Sequence, residues 1–259
     1  MKTAYICLSV ETLHHGHINL IKQAKKYGDV IAGLLTDKAI IKHKKLPYLS
    51  YEQRKKLLEN IVGIKKVVPQ NEWSQEYNIL KYKPDFFVHG DDWLTNGEID
   101  NKKKALKALK KYGGKLIEIS HTKGISSGAI LKDQTRIGTT PEVRQGMLRR
   151  LLISKKLIRI IEVHSPISAL VVENTKIKSQ KEMTAFDGFW SSSLCDSIQM
   201  GKPDNEILDL SQRLDNINNI FEVTTKPLII DLDTGGKIEH FAMNIKKLVR
   251  LGISAVIIE

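Results

Sequence analysis

Three histidines and a glycine lie together near the start of the sequence, at residues 14–17. An apolar run of strand length, residues 4–8, comes before them, and apolar side chains at helical spacing follow them. This pattern predicts a turn between a strand and a helix, where the free N–H groups of the first helical turn and the positive end of the helix dipole bind phosphate. Gly16 would let an anion approach the backbone. His14 and His17 would donate hydrogen bonds to a phosphoryl group as charge shifts in a displacement.

The histidine cluster is also compatible with two alternative roles at this point. Histidines three positions apart occur in zinc sites, although no cysteine or further histidine lies at ligand spacing nearby. A cluster with a purely structural role is the second alternative. The remainder of the first half of the sequence is needed to choose between them.

A second group of residues that could do chemistry is a pair of aspartates, Asp231 and Asp233, at the end of the apolar run 227–233. Alternate residues of a strand point the same way, so the two carboxylates should project together. Carboxylate oxygens suit a Mg²⁺ ion that is held largely through water. The pair therefore predicts a magnesium site at the end of a strand.

Regular alternation of strands and helices is predicted for the first 120 residues. Apolar runs of strand length lie at residues 4–8, 30–35, 66–69, 86–89 and 116–119. Helical patterns begin at His17, at Ser50, near Ser74 and near Asn101. Such alternation predicts a mostly parallel sheet covered on both faces, with ligands at the carboxyl ends of the strands. The histidine turn lies at such an end, and so does the segment 89–93.

The composition narrows the class of partner. The chain has 259 residues and a formal net charge of +12, but its lysines are spread along the sequence without an aromatic-interleaved basic motif. The densest basic run, residues 102–111, has apolar side chains at helical spacing, which indicates a solvated helix face. We therefore expect small anionic substrates and no nucleic acid.

Cys7 and Cys195 are far apart in the sequence, which argues against a disulfide framework. No leader peptide or membrane-length apolar run is recognisable, so we expect a cytoplasmic protein without a membrane partner.

Four motifs of the first half resemble those of one superfamily. His14-His15-Gly16-His17 resembles the HxGH signature of the nucleotidyltransferases, a superfamily that includes cytidylyltransferases and adenylyltransferases. The segments 90–93, 124–127 and 46–54 resemble motifs of the glycerol-3-phosphate cytidylyltransferase type, in order and at family spacing over residues 1 to about 132. The resemblance implies that His14 and His17 are catalytic. The nucleotide-binding residues that it implies are Leu8, Ser9, Gly16, Lys44, Gly90, Asp91, Asp92, Trp93, Gly124, Ile125, Ser126 and Ser127. Lys44 or a neighbour in residues 42–45 is the candidate to reach the phosphates, and for any single lysine there a solvated loop is an equal alternative.

The sequence departs from the family pattern at three places. Many relatives have Gly-Thr-Phe-Asp where this chain has Leu-Ser-Val-Glu at residues 8–11, so the acidic position is filled by the longer Glu11. His121 replaces a basic or tyrosyl residue, and Gly128 replaces a hydroxyl residue. These departures bear on the identity of the substrate and on activity rather than on the fold.

The second half resembles the phosphoenolpyruvate mutase branch of the isocitrate lyase superfamily, whose fold is a (β/α)₈ barrel. The matching segments are 162–166, 190–194, 201–204, 231–235 and 257–259. By this resemblance, Trp190, Ser192 and Ser193 would bind substrate. Asp204 would be catalytic, and Asp231, Asp233 and Glu259 would hold Mg²⁺. A mutase behind an HxGH cytidylyltransferase domain is an arrangement known from phosphonate biosynthesis.

The expected organisation is a Rossmann-like parallel-sheet nucleotidyltransferase domain followed by an incomplete (β/α)₈ TIM barrel, both of the α/β class. The predicted domains are residues 1–133 and 148–259, joined by a polar linker at 134–147. Strands are predicted at 159–163, 186–191, 227–233 and 255–259, only half the number that a barrel needs. We therefore expect the sequence to be a fragment, without mutase activity of its own, in which residues 146–259 self-associate through exposed apolar strand faces.

The leading functional hypothesis is transfer of CMP from CTP to a phosphonate or phosphate monoester, with release of pyrophosphate. The alternatives are an adenylyltransferase of the same superfamily and a nucleotide-binding module without turnover. Phosphoenolpyruvate and phosphonopyruvate are the substrates that the resemblance implies for a completed second domain. It also implies Mg²⁺ and a homo-oligomer, and it leaves the acceptor open.

Overall fold

A computed structural model describes residues 1–91, 93, 99–120, 122, 138–178 and 183–259. The chain divides into two compact units, Met1–Leu131 and Lys132–Glu259. Each unit is described by itself. Within the described ranges, no helix is both long enough and apolar enough to cross a membrane.

A five-stranded parallel sheet forms the centre of the first unit. Its strands are β1 (Thr3–Leu8), β2 (Asp29–Leu35), β3 (Ile64–Gln70), β4 (Phe86–Gly90) and β5 (Lys115–Ile119). Their order across the sheet is β3-β2-β1-β4-β5, and every neighbouring pair is parallel. The order reverses between β1 and β4, which is where α/β sheets of this kind bind ligands. All five predicted strands are present.

Helices cover both faces of this sheet. They are α1 (His15–Lys25), α2 (Asp37–Ile40), α3 (Tyr51–Glu59), α4 (Glu76–Tyr82) and α5 (Ile99–Lys110). Successive residues of β1 point to opposite faces. Ile6 accordingly packs in a cluster with Ile21 of α1, whereas Tyr5 packs in another with Leu109 of α5. The apolar run of β1 is therefore buried on both sides, as the sequence predicts for a central parallel strand.

A buried polar network lies beside β1. The Tyr5 hydroxyl donates to Gln70 Oε1 over 2.5 Å and accepts from Asn78 Nδ2 over 2.9 Å. Gly33 on β2 makes room for this tyrosine, because a Cβ at that position would lie 1.8 Å from the Tyr5 hydroxyl oxygen. The network satisfies polar groups that would otherwise be costly to bury.

Four parallel strands form the sheet of the second unit, β6 (Ile160–Glu162), β9 (Gly188–Ser191), β10 (Leu228–Asp231) and β11 (Ala255–Ile257). Strands that follow one another in this set are neighbours in the sheet, in the order β11-β10-β9-β6. This is the connectivity of successive (β/α) units in a barrel. The described strands form an open sheet with β6 and β11 at its edges. The helices are α6 (Pro141–Ser154), α7 (Pro166–Asn174), α8 (Ser193–Gln199), α9 (Leu210–Val223) and α10 (Ile238–Leu251).

Two features of the second unit differ from expectation. Helix α6 begins at Pro141, inside the stretch 134–147 predicted as a linker, since Thr140 and Pro141 supply an N-cap and a first-turn proline. Arg144 of this helix is buried and donates to the carbonyl of Thr224 over 3.0 Å, which fastens α6 to the second unit. The other feature is an antiparallel ribbon of β7 (Lys176–Lys178) and β8 (Met183–Ala185), which was not predicted.

Candidate active site

The predicted histidine turn is present at the carboxyl end of β1. His14 is the N-cap of α1, with extended backbone angles (φ −142°, ψ 169°), and its Nδ1 accepts a hydrogen bond from Gly16 N over 3.2 Å. His17 Nδ1 accepts from His14 N over 3.3 Å, and the two rings are tilted with centroids 3.9 Å apart. Because both Nδ1 atoms accept, the neutral rings carry their proton on Nε2. The turn thus fixes two imidazole donors side by side.

His17 is electrically neutral at physiological pH. Burial lowers the pKa of His17 to about 4, and electrostatic interactions with His14 and Lys44 lower it further. A neutral imidazole can donate one Nε2–H hydrogen bond to a phosphoryl oxygen without itself being a cation. The geometry therefore suits a preorganised donor for developing charge rather than a general acid at pH 7.

Gly16 leaves little room for a side chain in this close arrangement. A Cβ at position 16 would lie 3.0 Å from the Cε1 and Nδ1 atoms of His14 and 3.6 Å from the Cβ of Thr122. Asn19 of α1 donates to the Thr122 hydroxyl over 3.3 Å, so Thr122 is held against the helix. The predicted binding segment, Gly124, Ile125, Ser126 and Ser127, follows Thr122 but lies outside the described residues, as do His121 and Gly128.

The backbone between β1 and the histidines is strained. Leu8 ends β1, Ser9 follows it, and Val10 has a φ of +50° although it is fully buried. A β-branched residue in the left-handed region is unfavourable and persists only where its surroundings enforce it. The predicted residues Leu8 and Ser9 thus adjoin the turn, and the strain lies between them and Glu11.

A buried arginine enforces this geometry. Arg54 of α3 is fully buried and donates to Ser9 O over 2.6 Å and to Leu35 O over 2.8 Å. It also donates to Leu49 O over 3.3 Å and to Asp37 Oδ1 over 2.7 Å. One guanidinium therefore ties the ends of β1 and β2 to the start of α3. The role of Arg54 was not predicted. The signal in the sequence was its position four residues before Leu58, which places both residues on the same face of the helix.

Lys44 lies beside the histidines with two further neighbours. Its Nζ is 3.6 Å from Glu11 Oε1 and 5.6 Å from the centre of the Trp73 ring. The charge of Lys44 also contributes to the low pKa of His17. The structure thus brings together His14, His17, Gly16 and Lys44 of the predicted set.

The segment after β4 has a different environment. Gly90 ends β4, and Asp91 N donates to Ile119 O over 3.0 Å. Trp93 is only 2% exposed and stacks on His89 with ring centroids 3.8 Å apart. Its indole Nε1 is buried and has no hydrogen-bond partner within the described part of the chain. Asp92 lies outside the described residues, and a nucleotide-binding role for Gly90, Asp91 and Trp93 stays a prediction.

The second unit gathers polar side chains at the carboxyl ends of its strands. Ser193 Oγ donates to Asp231 Oδ2 over 3.3 Å, and Asp231 Oδ1 accepts from Asp233 N over 3.2 Å. Burial raises the pKa of Asp233, the Ser193 hydrogen bond and Arg213 oppose this shift, and the charges of Asp231 and Asp204 add to it. Ser193, Asp231 and Asp233 of the predicted set therefore meet at one place.

A buried ion-pair network lies beneath this cluster. Asp196 Oδ2 accepts from Ser191 Oγ over 2.8 Å and from Arg213 Nε over 2.9 Å. Arg213, only 4% exposed, also reaches Asp233 Oδ2 at 3.5 Å. Neither Asp196 nor Arg213 was predicted, because their partners lie far apart in the sequence.

The remaining predicted residues are placed as follows. Ser192 is the buried N-cap of α8, and the Trp190 Nε1 atom is buried with no hydrogen-bond partner in the described ranges. Glu259 meets the cluster through its backbone, since Glu259 N donates to Asp233 O over 2.9 Å. Among the described residues, no group of three or more His, Cys, Asp or Glu side chains is arranged to hold a metal ion.

The predicted Mg²⁺ ligands are therefore not assembled as a three-carboxylate site. The oxygens of Asp231 and Asp233 are of the kind that Mg²⁺ prefers. However, the Asp231 carboxylate accepts hydrogen bonds from the Ser193 hydroxyl and from a backbone N–H group, and Asp233 forms an ion pair with Arg213. The expectation of a site came from strand alternation and from the resemblance. In the structure β10 ends at Asp231 and the backbone turns at Asp233 with a φ of +51°, and a Mg²⁺ role for these residues stays a prediction.

Two family models match the sequence. Residues 11–133 match the cytidylyltransferase-like model, and residues 148–259 match the phosphoenolpyruvate phosphomutase model. Glycerol-3-phosphate cytidylyltransferase of Bacillus spizizenii is 36% identical over 139 residues, which are 53% of this chain and 100% of that protein. The chain belongs to the cytidylyltransferase-like family. The predicted membership of the first half is thereby confirmed.

The cytidylyltransferase-like domain is fused to a phosphomutase-like one. Phosphoenolpyruvate phosphomutase of Tetrahymena pyriformis is 32% identical over 113 residues, 43% of this chain and 35% of that protein. The solved structure of a phosphoenolpyruvate phosphomutase from Streptomyces platensis subsp. rosaceus is 30% identical, with a TM-score of 0.39, over 44% of this chain and 37% of that one. The chain thus spans about a third of these proteins. The predicted fusion and the predicted enzyme class, a nucleotidyltransferase, are confirmed.

Proposed function

We propose that the first unit transfers CMP from CTP to a phosphate or phosphonate monoester. An acceptor oxygen forms a bond to the α-phosphorus, the bond to the bridging oxygen breaks, and pyrophosphate leaves with that electron pair. The observation that carries the proposal is the pair of imidazoles at the start of α1, whose Nδ1 atoms are occupied by backbone N–H groups. An imidazole held in this way carries its proton on Nε2, and such an N–H group can stabilise charge on phosphoryl oxygens.

The choice of substrates has separate support. The curated relative that the first unit matches over its full length is named for glycerol 3-phosphate and for cytidylyl transfer. The Lys44 ammonium beside His17 supplies positive charge for a triphosphate. Mg²⁺ that binds with CTP would offset part of the remaining charge of the triphosphate. Phosphonate biosynthesis, a cytoplasmic location and a homo-oligomeric state belong to the same proposal.

The test is pyrophosphate release by the whole chain with CTP, ATP or GTP, each with glycerol 3-phosphate or 2-hydroxyethylphosphonate as acceptor. We expect release that requires an acceptor and is fastest with CTP. Equal rates with ATP would favour an adenylyltransferase. Binding of CTP without turnover, whatever the acceptor, would favour a nucleotide-binding module.

A second proposal concerns the second unit, where Ser193, Asp231 and Asp233 meet at the strand ends and the charge of Asp204 acts on Asp233. We infer that this cluster is part of a site for phosphoenolpyruvate or phosphonopyruvate. ³¹P NMR of each compound with the chain should show line broadening that Ser193→Ala weakens and that the surface variant Lys156→Ala leaves unchanged. Identical broadening with Ser193→Ala would contradict the inference.

A further inference from the structure

Glu11 is a buried carboxylate with an incomplete set of partners. Its side chain is 4% exposed, and its Oε1 atom has no hydrogen-bond donor among the residues that the structure describes. Glu11 forms an ion pair with Lys44, whose Nζ lies 3.6 Å from Oε1. The Lys44 side chain is 45% exposed. A carboxylate that is removed from water depends strongly on a neighbouring cation.

The same ammonium lies at the edge of the candidate active site. Lys44 Nζ is 5.6 Å from the centre of the Trp73 ring, and the His43 ring lies against the same indole with ring centroids 4.6 Å apart. The position of Lys44 is therefore defined by a carboxylate on the β1 side and by an indole on the β3 side. Between them, the ammonium is near enough to His17 to affect its charge state.

We propose that Glu11 is a positioning residue, which holds the Lys44 ammonium beside the histidine turn so that it is in place for the phosphates of the nucleotide. The inference rests on the proposed function of the first unit. An ammonium has three N–H donors, so Lys44 can stay paired with Glu11 while it donates to a phosphate oxygen. If Lys44 left the carboxylate altogether, Glu11 would remain buried without a cation, which is unfavourable.

The length of the side chain at position 11 matters to this role. The separation of 3.6 Å is already near the limit of an ion pair, and an aspartate would withdraw the carboxylate by one methylene. The backbone has little freedom to compensate, because Val10 is in a strained conformation and Arg54 holds Ser9 O. The glutamate is therefore matched to the reach of Lys44.

A double-mutant cycle tests the proposal. Glu11→Gln, Lys44→Met and the double variant are compared with the unchanged chain for the Kd of CTP by calorimetry and for kcat and KM by pyrophosphate release. We expect Glu11→Gln to raise Kd and KM about tenfold with a much smaller change in kcat, the size of one charge-assisted contact. In the Lys44→Met background the same change should have no further effect, since Glu11 acts through Lys44. Additive effects of the two substitutions would overturn the proposal.

Further variants separate positioning from a structural role. Glu11→Asp should behave like Glu11→Gln, and an unchanged Kd with Glu11→Asp would overturn the match in length. Lys42→Met is the matched control, since Lys42 pairs with Glu72 at 3.7 Å in the same region and both side chains are exposed. It should leave Kd unchanged.

A spectroscopic measurement needs no ligand. Release of Lys44 from Glu11 should shift the fluorescence emission of Trp73, a shift that is absent after Trp73→Phe; an unshifted spectrum for folded Glu11→Gln would contradict the inference. Failure of the proposed function is a different outcome: in that case the unchanged chain neither binds CTP nor releases pyrophosphate.

Discussion

The two units contain similar numbers of residues but cover their sheets to different extents. In the first unit, apolar clusters pack on both faces of the sheet, around Ile6 on one side and Tyr5 on the other. In the second unit, the core cluster joins the strands to helices on one face, through residues such as Phe189 and Ile220. A complete set of neighbours surrounds β1, whereas β6 and β11 are edges of the described sheet.

Exposed apolar side chains follow the same division. Among the described residues, the large apolar side chains with high exposure are concentrated in the second unit, where Ile238 is 84% exposed and Ile153 is 78% exposed. Polar residues at the strand ends are nevertheless firmly linked there by Arg213. The comparison shows that polar contacts can hold the side chains of a site in place even where nearby apolar side chains are exposed to solvent. Self-association of this unit, expected from its sequence, stays a prediction.

The largest effect is expected from Arg213→Met in the second unit. The substitution leaves Asp196 buried without its cation, which should reduce the free energy of unfolding by about 3–5 kcal/mol. Urea unfolding followed by fluorescence and circular dichroism measures the change. Arg159→Met, at an exposed position, should alter stability by less than about 0.5 kcal/mol. A similar loss in both variants would show that the buried network does not order this unit.

In the first unit, His17→Ala should lower kcat for CMP transfer by about 10²-fold or more, because one preorganised donor is lost. The neighbouring His15 is exposed, with its ring 6.4 Å from that of His14, and is the matched control. His15→Ala should retain nearly full activity. Equal activity of the two variants would remove His17 from the mechanism.

The low pKa of His17 also predicts a dependence of stability on pH. The folded-state pKa is about 4, below the ordinary value of 6.5, so the unfolded chain takes up the proton first as the pH falls. The first unit should therefore lose stability between pH 6.5 and pH 4, by at most about 3 kcal/mol from this group. Comparison of His17→Gln with the unchanged chain isolates the effect from that of the carboxylates. Parallel stability curves for the two proteins would contradict the prediction.

A smaller effect is expected from two glycine substitutions that contrast the units. Gly33→Ala places a Cβ against the Tyr5 hydroxyl and should destabilise the first unit by about 1–3 kcal/mol through overpacking. Gly146→Ala, within α6, meets nothing within 4 Å and should stabilise the second unit by about 0.5–1 kcal/mol. Thermal unfolding measures both, and a stabilising Gly33→Ala would show that Tyr5 can move.

The strands of both sheets were predictable because apolar runs such as residues 30–35 stay buried whatever their partners. The histidine turn was predictable for a similar reason, since His14, Gly16 and His17 are neighbours in the sequence. The ribbon β7–β8 was missed because lysines such as Lys176 interrupt any apolar pattern. Sequence order also gave no warning that helix α6 occupies part of the expected linker, since its anchor, Arg144, bonds to residues about 80 positions away.

Contacts between distant residues account for what was missed at the sites. Arg54 bonds to Ser9 across 45 positions, and Glu11 faces Lys44 although α1, β2 and α2 lie between them in the sequence. No local spacing reports such pairs, because they are created when strands assemble. The end of β10 was also mispredicted. The strand ends at Asp231, two residues before Asp233, because alternation of residue types does not show where a strand stops.

The central position of β1 has a consequence for synthesis on the ribosome. The strand is made before the other four strands of its sheet, but one of its neighbours, β4, begins at Phe86, and Thr3 N donates to Asp85 Oδ2 over 2.7 Å. The histidine turn therefore cannot reach its final surroundings until the chain has been translated beyond β4. All five strands of that sheet then precede the first strand of the second unit. Since domains fold as units from the N-terminus during translation, the candidate active site of the first unit can mature while the second unit is still emerging.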